Sequence, residues 1–187
     1  APKMATLFAR NKSLLISKQL VGSIKFFAFL SSIVISLLFA YGDVFYKLWL
    51  PDLDNNLIYY LSISTCVELC FALPQESMWN VFTITNQVKK SSINLLVFSL
   101  MNITTVLFAI QIVEIDERVY YLAGITSGFS IIRLLTFLPT YSAKLLNLKL
   151  STFYPTLLLN VLSTFILTFV SLSVKWFYKV DSWLSLI

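Results

Sequence analysis

The sequence predicts an all-α, polytopic membrane protein, a bundle of about five transmembrane helices. Three observations predict it. Of the 187 residues, 12% are charged and 58% apolar, against about 25% and about 45–50% in a soluble domain. The apolar residues are gathered in long blocks. Each block is long enough to cross the ~30 Å hydrocarbon layer, which takes ~20 helical residues. A soluble chain of this length has no single core large enough for so much apolar surface.

The blocks lie at 21–41, 57–85, 93–113, 120–138 and 155–174. Helix is the economical choice for each, because backbone groups facing lipid must bond within their own segment. A β-barrel would show alternating segments of ~10 residues, and these blocks do not alternate. Residues 1–20 read as a cytoplasmic loop and helix entry, and 21–187 as the transmembrane bundle. Short polar connectors separate the blocks at 51–56, 87–92, 114–118 and 144–152. No internal repeat is evident. Both ends read as truncations: the first residue is Ala, the last is Ile187 on an apolar stretch, and residues 1–20 lack the order of a signal peptide.

The connectors set an orientation. On the side bearing residues 1–20 fall Lys3, Arg10, Lys12, Lys18, Lys89, Lys90, Lys144 and Lys149; opposite them fall Lys47, Arg118, Lys175 and Lys179. The first side is therefore the cytoplasmic one by the positive-inside rule, and five spans put the other end of the chain outside. Asp43, Asp52, Asp54, Glu114, Asp116 and Glu117 all fall opposite. Tyr41, Tyr46, Trp49, Tyr59, Tyr60, Tyr120, Tyr121, Trp176 and Tyr178 mark the outer ends of blocks, where aromatic belts form. The net charge of +5 is then a cytoplasmic bias; no basic stripe with interleaved aromatics points to nucleic acid.

The candidate functional residues are the ionised ones at membrane depth. Glu68 lies about 16 Å past Leu57 along a helix, near mid-membrane, and Glu76 about 12 Å further. A charge at that depth costs a few kcal/mol, so it faces a cavity or a partner. Counting helical angles places Glu68 and Glu76 within about 80° of each other, on one face. Pro74 removes a backbone hydrogen bond and bends the helix; a moving hinge and a fixed kink both fit. Arg133, inside the fourth block, either snorkels to the headgroups, pairs with Glu76, or meets an anionic ligand. Lys25 reads first as a snorkelling residue. Asn80, Asn102 and Asn160 are suited to bonds across helices. Cys66 and Cys70, four apart, share a helix face as small apolar residues. With no histidine, zinc sites and Ser-His-Asp triads have no basis. No phosphate loop or nucleophile–base pair is visible, so neither an enzyme nor a metal or other cofactor is expected.

Several stretches resemble one family. Ala1-Pro2-Lys3-Met4 with Leu7-Phe8-Ala9-Arg10, then a polar helix into the first span, ending Phe45-Tyr46-Lys47-Leu48-Trp49-Leu50-Pro51, is one. Trp79-Asn80-Val81-Phe82 with Asn86-Gln87-Val88-Lys89 is another, and Leu100-Met101-Asn102 a third. The most specific is Ile131-Ile132-Arg133-Leu134-Leu135-Thr136-Phe137-Leu138-Pro139-Thr140-Tyr141-Ser142-Ala143-Lys144-Leu145-Leu146. Together they resemble the oligosaccharide flippases of the multidrug/oligosaccharidyl-lipid/polysaccharide exporter superfamily, most of all the branch serving Gram-positive capsule and exopolysaccharide.

The resemblance implies a C-terminal fragment of a protein of about fourteen spans, part of one lobe of a MATE-like two-lobe transporter. It implies a bacterial cytoplasmic membrane and, as cargo, a polyprenyl-diphosphate-linked oligosaccharide flipped to the outer leaflet. Implied partners are membrane lipids, the remaining N-terminal spans, and the polysaccharide polymerase and chain-length machinery. By type, Arg133, Lys25 and Asn80 are substrate-binding candidates, and Glu68 and Glu76 are coupling candidates. The scarcity of glycine, four in all, departs from the family's habit at helix contacts. A cation-coupled multidrug antiporter of the same superfamily and a non-transporting membrane scaffold are the alternatives.

Overall fold

A computed structural model describes residues 2–10 and 12–177, and among these it shows eight α-helices and no strand. Tyr178, Lys179 and Asp181 lie outside the described residues, as does the side chain of Lys3. The helices are α1 (Pro2–Ala9), α2 (Ser13–Trp49), α3 (Asn55–Gln75), α4 (Trp79–Ile84), α5 (Val88–Ile112), α6 (Arg118–Thr136), α7 (Leu138–Leu145) and α8 (Tyr154–Phe177). Five segments are long and apolar enough to cross a membrane: Ser13–Trp49, Asn55–Ile84, Val88–Ile112, Ile115–Leu145 and Tyr154–Phe177. The chain is a helical bundle of membrane-spanning type.

The expected blocks map onto these segments with one large difference. The first span was placed at 21–41, yet α2 is one helix of 37 residues, about 55 Å long at 1.5 Å per residue. Its extra turns at the start are amphipathic. Ile16, Leu20 and Ile24 are buried on one face while Lys12, Lys18 and Lys25 are exposed. That face joins the hydrophobic core of the molecule, with Met78, Phe82, Leu138 and Phe153. This core sits at the end of the bundle bearing α1, here called the near side.

The helix α3 is central, packed against α2, α6 and α8; α2 also packs along α8, and α5 leans mainly on α6. In α5 the buried residue is Ser91, near its start. Leu96, Leu100, Ile103 and Phe108 face outward, which suits lipid as the surrounding solvent. At the far side, Asp54 caps α3 by accepting from the Asn56 and Leu57 amides at 3.0 and 3.2 Å. There Lys175 on α8 donates to Asp43 Oδ1 at 2.6 Å and to the Ala40 carbonyl at 2.8 Å on α2.

Two spans break at prolines. After α3 comes a 3₁₀ turn, Glu76–Met78, and then α4; α6 breaks at Phe137 before α7. The two breaks share a construction. Leu69, Leu73, Pro74 and Ser77 recur as Leu134, Leu138, Pro139 and Ser142, each pair 65 positions apart (74 to 139). Pro74 and Pro139 are both fully buried, as are Met78 and its counterpart Ala143. Both short helices end in the same way. Asn86 and Asn147 adopt left-handed backbone, each with φ 54°. The next amide, Gln87 or Leu148, donates back to the Phe82 or Ala143 carbonyl at 2.8 or 2.9 Å. This is the Schellman closure, in which asparagine tolerates the left-handed position.

Candidate functional site

The polar residues at membrane depth converge on a cleft between α3, α5 and α6. It is lined by Glu68 from α3, Ser99 and Asn102 from α5, and Thr126, Ser130 and Arg133 from α6, with Leu95, Phe98 and Phe129 as apolar walls. Its volume is about 170 Å³. The spacing on α6 explains how that helix contributes: residues 126, 130 and 133 recur at four and three positions and share a face.

Ser130 Oγ donates to Glu68 Oε1 at 2.6 Å, joining α6 to α3. Arg133 lies on the same wall, one turn nearer the near side. Its guanidinium is 5.7 Å from the centre of the Trp79 ring on α4, within cation–π range. Among the described residues the ion pair within 4 Å is Lys175 with Asp43, so Arg133 has no carboxylate in direct contact. Asn102 Oδ1 is buried and has no hydrogen-bond partner within the protein. An amide oxygen left bare at that depth costs about 1–3 kcal/mol unless a ligand or water satisfies it. The cleft therefore presents a carboxyl group and a guanidinium, with the buried, unpartnered Asn102 oxygen in its wall.

A second groove of about 170 Å³ adjoins it between α4 and α5, lined by Trp79, Phe82, Thr83, Val88, Ser91, Ser92 and Leu95. Leu95 lines both, and Trp79 sits against Arg133. The two grooves together run from mid-bundle toward the near-side end of α5, where Lys89 and Lys90 are exposed.

Of the residues singled out in the sequence, the cleft gathers Glu68, Asn102 and Arg133 and leaves Glu76, Lys25 and Asn80 outside. Glu76 is exposed and does not line it. The helical count that set Glu76 beside Glu68 runs across Pro74, where the α-helix gives way to a 3₁₀ turn, so the 100° step no longer holds. Arg133 accordingly makes no ion pair with Glu76. Lys25 is exposed on α2, a helix that does not line the cleft, which fits a snorkelling residue. Asn80 turns back on its own turn, Nδ2 donating to the Ser77 carbonyl at 3.2 Å. Sequence reading missed Ser130, Thr126 and Ser99 altogether, and gave Asn102 only a structural part.

Pro74 lies beside the site. Lacking an N–H, it leaves the Cys70 carbonyl, four residues earlier, without its helical donor. Asn160 Nδ2 on α8 fills that place at 2.6 Å. Asn160 also anchors a buried polar junction. Ser32 Oγ on α2 lies 3.2 Å from Asn160 Oδ1 and 2.9 Å from Thr164 Oγ1. Cys70 Sγ donates to Thr164 Oγ1 at 3.5 Å. Cys66 and Cys70 are both free thiols.

The fold and cleft define a helical multi-pass membrane protein with ionised residues inside the bundle. Compared with protein-family models, curated proteins and solved structures, the chain matches none.

Proposed function

We propose that the chain is part of a membrane transporter, in which the α3–α5–α6 cleft handles the charged part of a substrate at mid-bilayer. The observation that carries this reading is Glu68 and Arg133 on one polar cleft, with Arg133 free of a direct carboxylate partner. Ionised side chains inside a membrane bundle mark substrate or ion paths. The sequence resemblance supplies the substrate class: a polyprenyl-diphosphate-linked oligosaccharide, flipped across the bacterial cytoplasmic membrane by a MATE-like transporter of which this chain forms part of one lobe. A diphosphate meets a penalty of many kcal/mol in lipid, and a guanidinium in a wet cleft offsets it. In this reading the near side is cytoplasmic, which sets the basic mouth at Lys89 and Lys90 where the substrate is made. The chemistry is translocation; no bond is made or broken.

The hydrogen-bonded carboxylate Glu68 supports a second reading, a cation-coupled antiporter, because a protonatable group beside Arg133 suits ion coupling. Substitution in the native host separates the readings. Arg133→Ala lowers surface polysaccharide by about tenfold or more, equivalent to about 1.4 kcal/mol of lost interaction, with membrane protein level unchanged. Lys25→Ala, outside the cleft, leaves polysaccharide at the parental level. An antiporter instead loses drug tolerance in Glu68→Gln with polysaccharide intact, and a scaffold shows neither effect. Unchanged polysaccharide in Arg133→Ala overturns the flippase reading.

A further inference from the structure

Two carbonyls in the bundle are orphaned by proline, and one helix caps both. Pro74 frees the Cys70 carbonyl and Pro139 frees the Leu135 carbonyl, each four residues earlier. Asn160 Nδ2 donates to the first at 2.6 Å, and Tyr154 Oη donates to the second at 2.7 Å. Both donors stand on α8, six residues apart along the sequence, hence about 9 Å along the helix. A freed carbonyl at membrane depth has no water to turn to, so a donor from a neighbouring helix is what stabilises a bend there.

The same register carries the cleft. Glu68 precedes Pro74 by six residues, and Arg133 precedes Pro139 by six. Each charged residue of the cleft therefore stands just under two turns before a bend that α8 holds. The two bent segments then pack on each other at the near side, where Phe82 of α4 meets Phe137 and Tyr141 of the α6–α7 segment at ring-centre distances of 6.1 and 5.6 Å.

We propose that α8 is a clamp: Asn160 and Tyr154 are positioning residues that fix both proline bends and, through them, the placing of Glu68 and Arg133 across the cleft. A helix shift that withdraws either donor releases the bend it holds and alters the cleft. Through this clamp α8 would act on a cleft that it does not line.

The test is a pair of double-mutant cycles on the protein purified in detergent, read by thermal unfolding. Asn160→Leu and Tyr154→Phe each lower the unfolding midpoint. Pro74→Ala restores a backbone donor for Cys70, so Asn160→Leu costs less in that background; Pro139→Ala does the same for Tyr154→Phe. Loss of the Ser32 contact is common to both backgrounds and cancels. The crossed pairs, Asn160→Leu with Pro139→Ala and Tyr154→Phe with Pro74→Ala, stay additive. Tyr154→Phe removes a single hydroxyl and keeps the experiment open should the Asn160 variant not fold.

A second readout separates positioning from mere stability. With Cys66→Ala, Cys70→Ala and Thr126→Cys, the rate at which a water-soluble thiol reagent labels position 126 reports the cleft. Tyr154→Phe shifts that rate severalfold, and Pro139→Ala brings it back toward the parent. Additive cognate cycles, or a labelling rate unmoved by Tyr154→Phe, overturn the clamp. Neither readout uses a transported substrate, so its failure is distinct from failure of the transport reading.

Discussion

Replacing Gly42 by alanine tests a close contact between α2 and α3. Gly42 is buried on α2, and a Cβ built there falls 2.8 Å from Tyr59 Cε2 and 3.0 Å from Tyr59 Cδ2 on α3. Both atoms belong to a rigid ring. That ring is also tethered, because Tyr59 Oη donates to the Phe39 carbonyl of α2 at 2.7 Å. The ring cannot swing away without stretching this bond. Overpacking costs about 1–3 kcal/mol and the lost hydrogen bond about 1 kcal/mol. Alanine regains about 1 kcal/mol of helix propensity over glycine. The net expectation is a loss of about 1–3 kcal/mol, measured by unfolding of the detergent-solubilised protein. In a Tyr59→Ala background the obstacle is gone and Gly42→Ala turns neutral or stabilising by up to about 1 kcal/mol. Gly42→Ala as stable as the parent, or equally harmful with and without the tyrosine ring, would refute this account of α2–α3 packing.

Two further predictions concern the far side. Lys175→Met and Asp43→Asn each cost up to about 1 kcal/mol, since the pair is partly exposed; the double variant costs no more than either alone, and additive costs in a double-mutant cycle count against a shared contact. Asp54→Ala costs about 1 kcal/mol through loss of the α3 cap, while Asp54→Ser stays within a few tenths of the parent; equal losses in chemical unfolding of both would show that the cap is idle.

The number of spans was legible in the sequence because length and apolarity alone decide whether a segment crosses a bilayer. The start of α2 was not, because a hydropathy reading averages Lys18 and Gln19 with their neighbours. The spacing of Ile16, Leu20 and Ile24 was the signal that could have found it. Glu68 and Arg133 stood out because charge in an apolar block is rare. Their cleft-mates did not: Ser130 and Thr126 look like ordinary helix polar residues until α3 and α5 are set against α6. The paired Leu-Pro breaks were readable at 73–77 and 138–142. They passed unnoticed because few residues recur and because α4 and its turn run four residues longer before asparagine than α7 does (74 to 86 against 139 to 147). Pro74 announced a freed carbonyl at Cys70, but a sequence cannot name which helix supplies the donor. The choice of Asn160 is a tertiary fact.

The distribution of charge and bend argues for a working interior. An ionised side chain at mid-bilayer costs a few kcal/mol even on lenient scales, and apolar residues of similar volume are commonly as stable or more so. Interior prolines likewise sacrifice a hydrogen bond apiece. In a bundle shaped for stability alone, neither would gather in one place. Here Glu68 and Arg133 fall on the two spans that contain interior prolines, in the same register, and face one cleft. Of the spans without an interior proline, α5 carries Lys89 and Lys90 in its first turn, α8 carries Lys175 in its last turn, and α2 carries Lys25 outside the cleft. Unfavourable features that coincide in space and register are a cost borne together. A polar passage that must change shape requires both: charge to receive a polar group in lipid, and bends whose freed carbonyls can exchange partners as helices move.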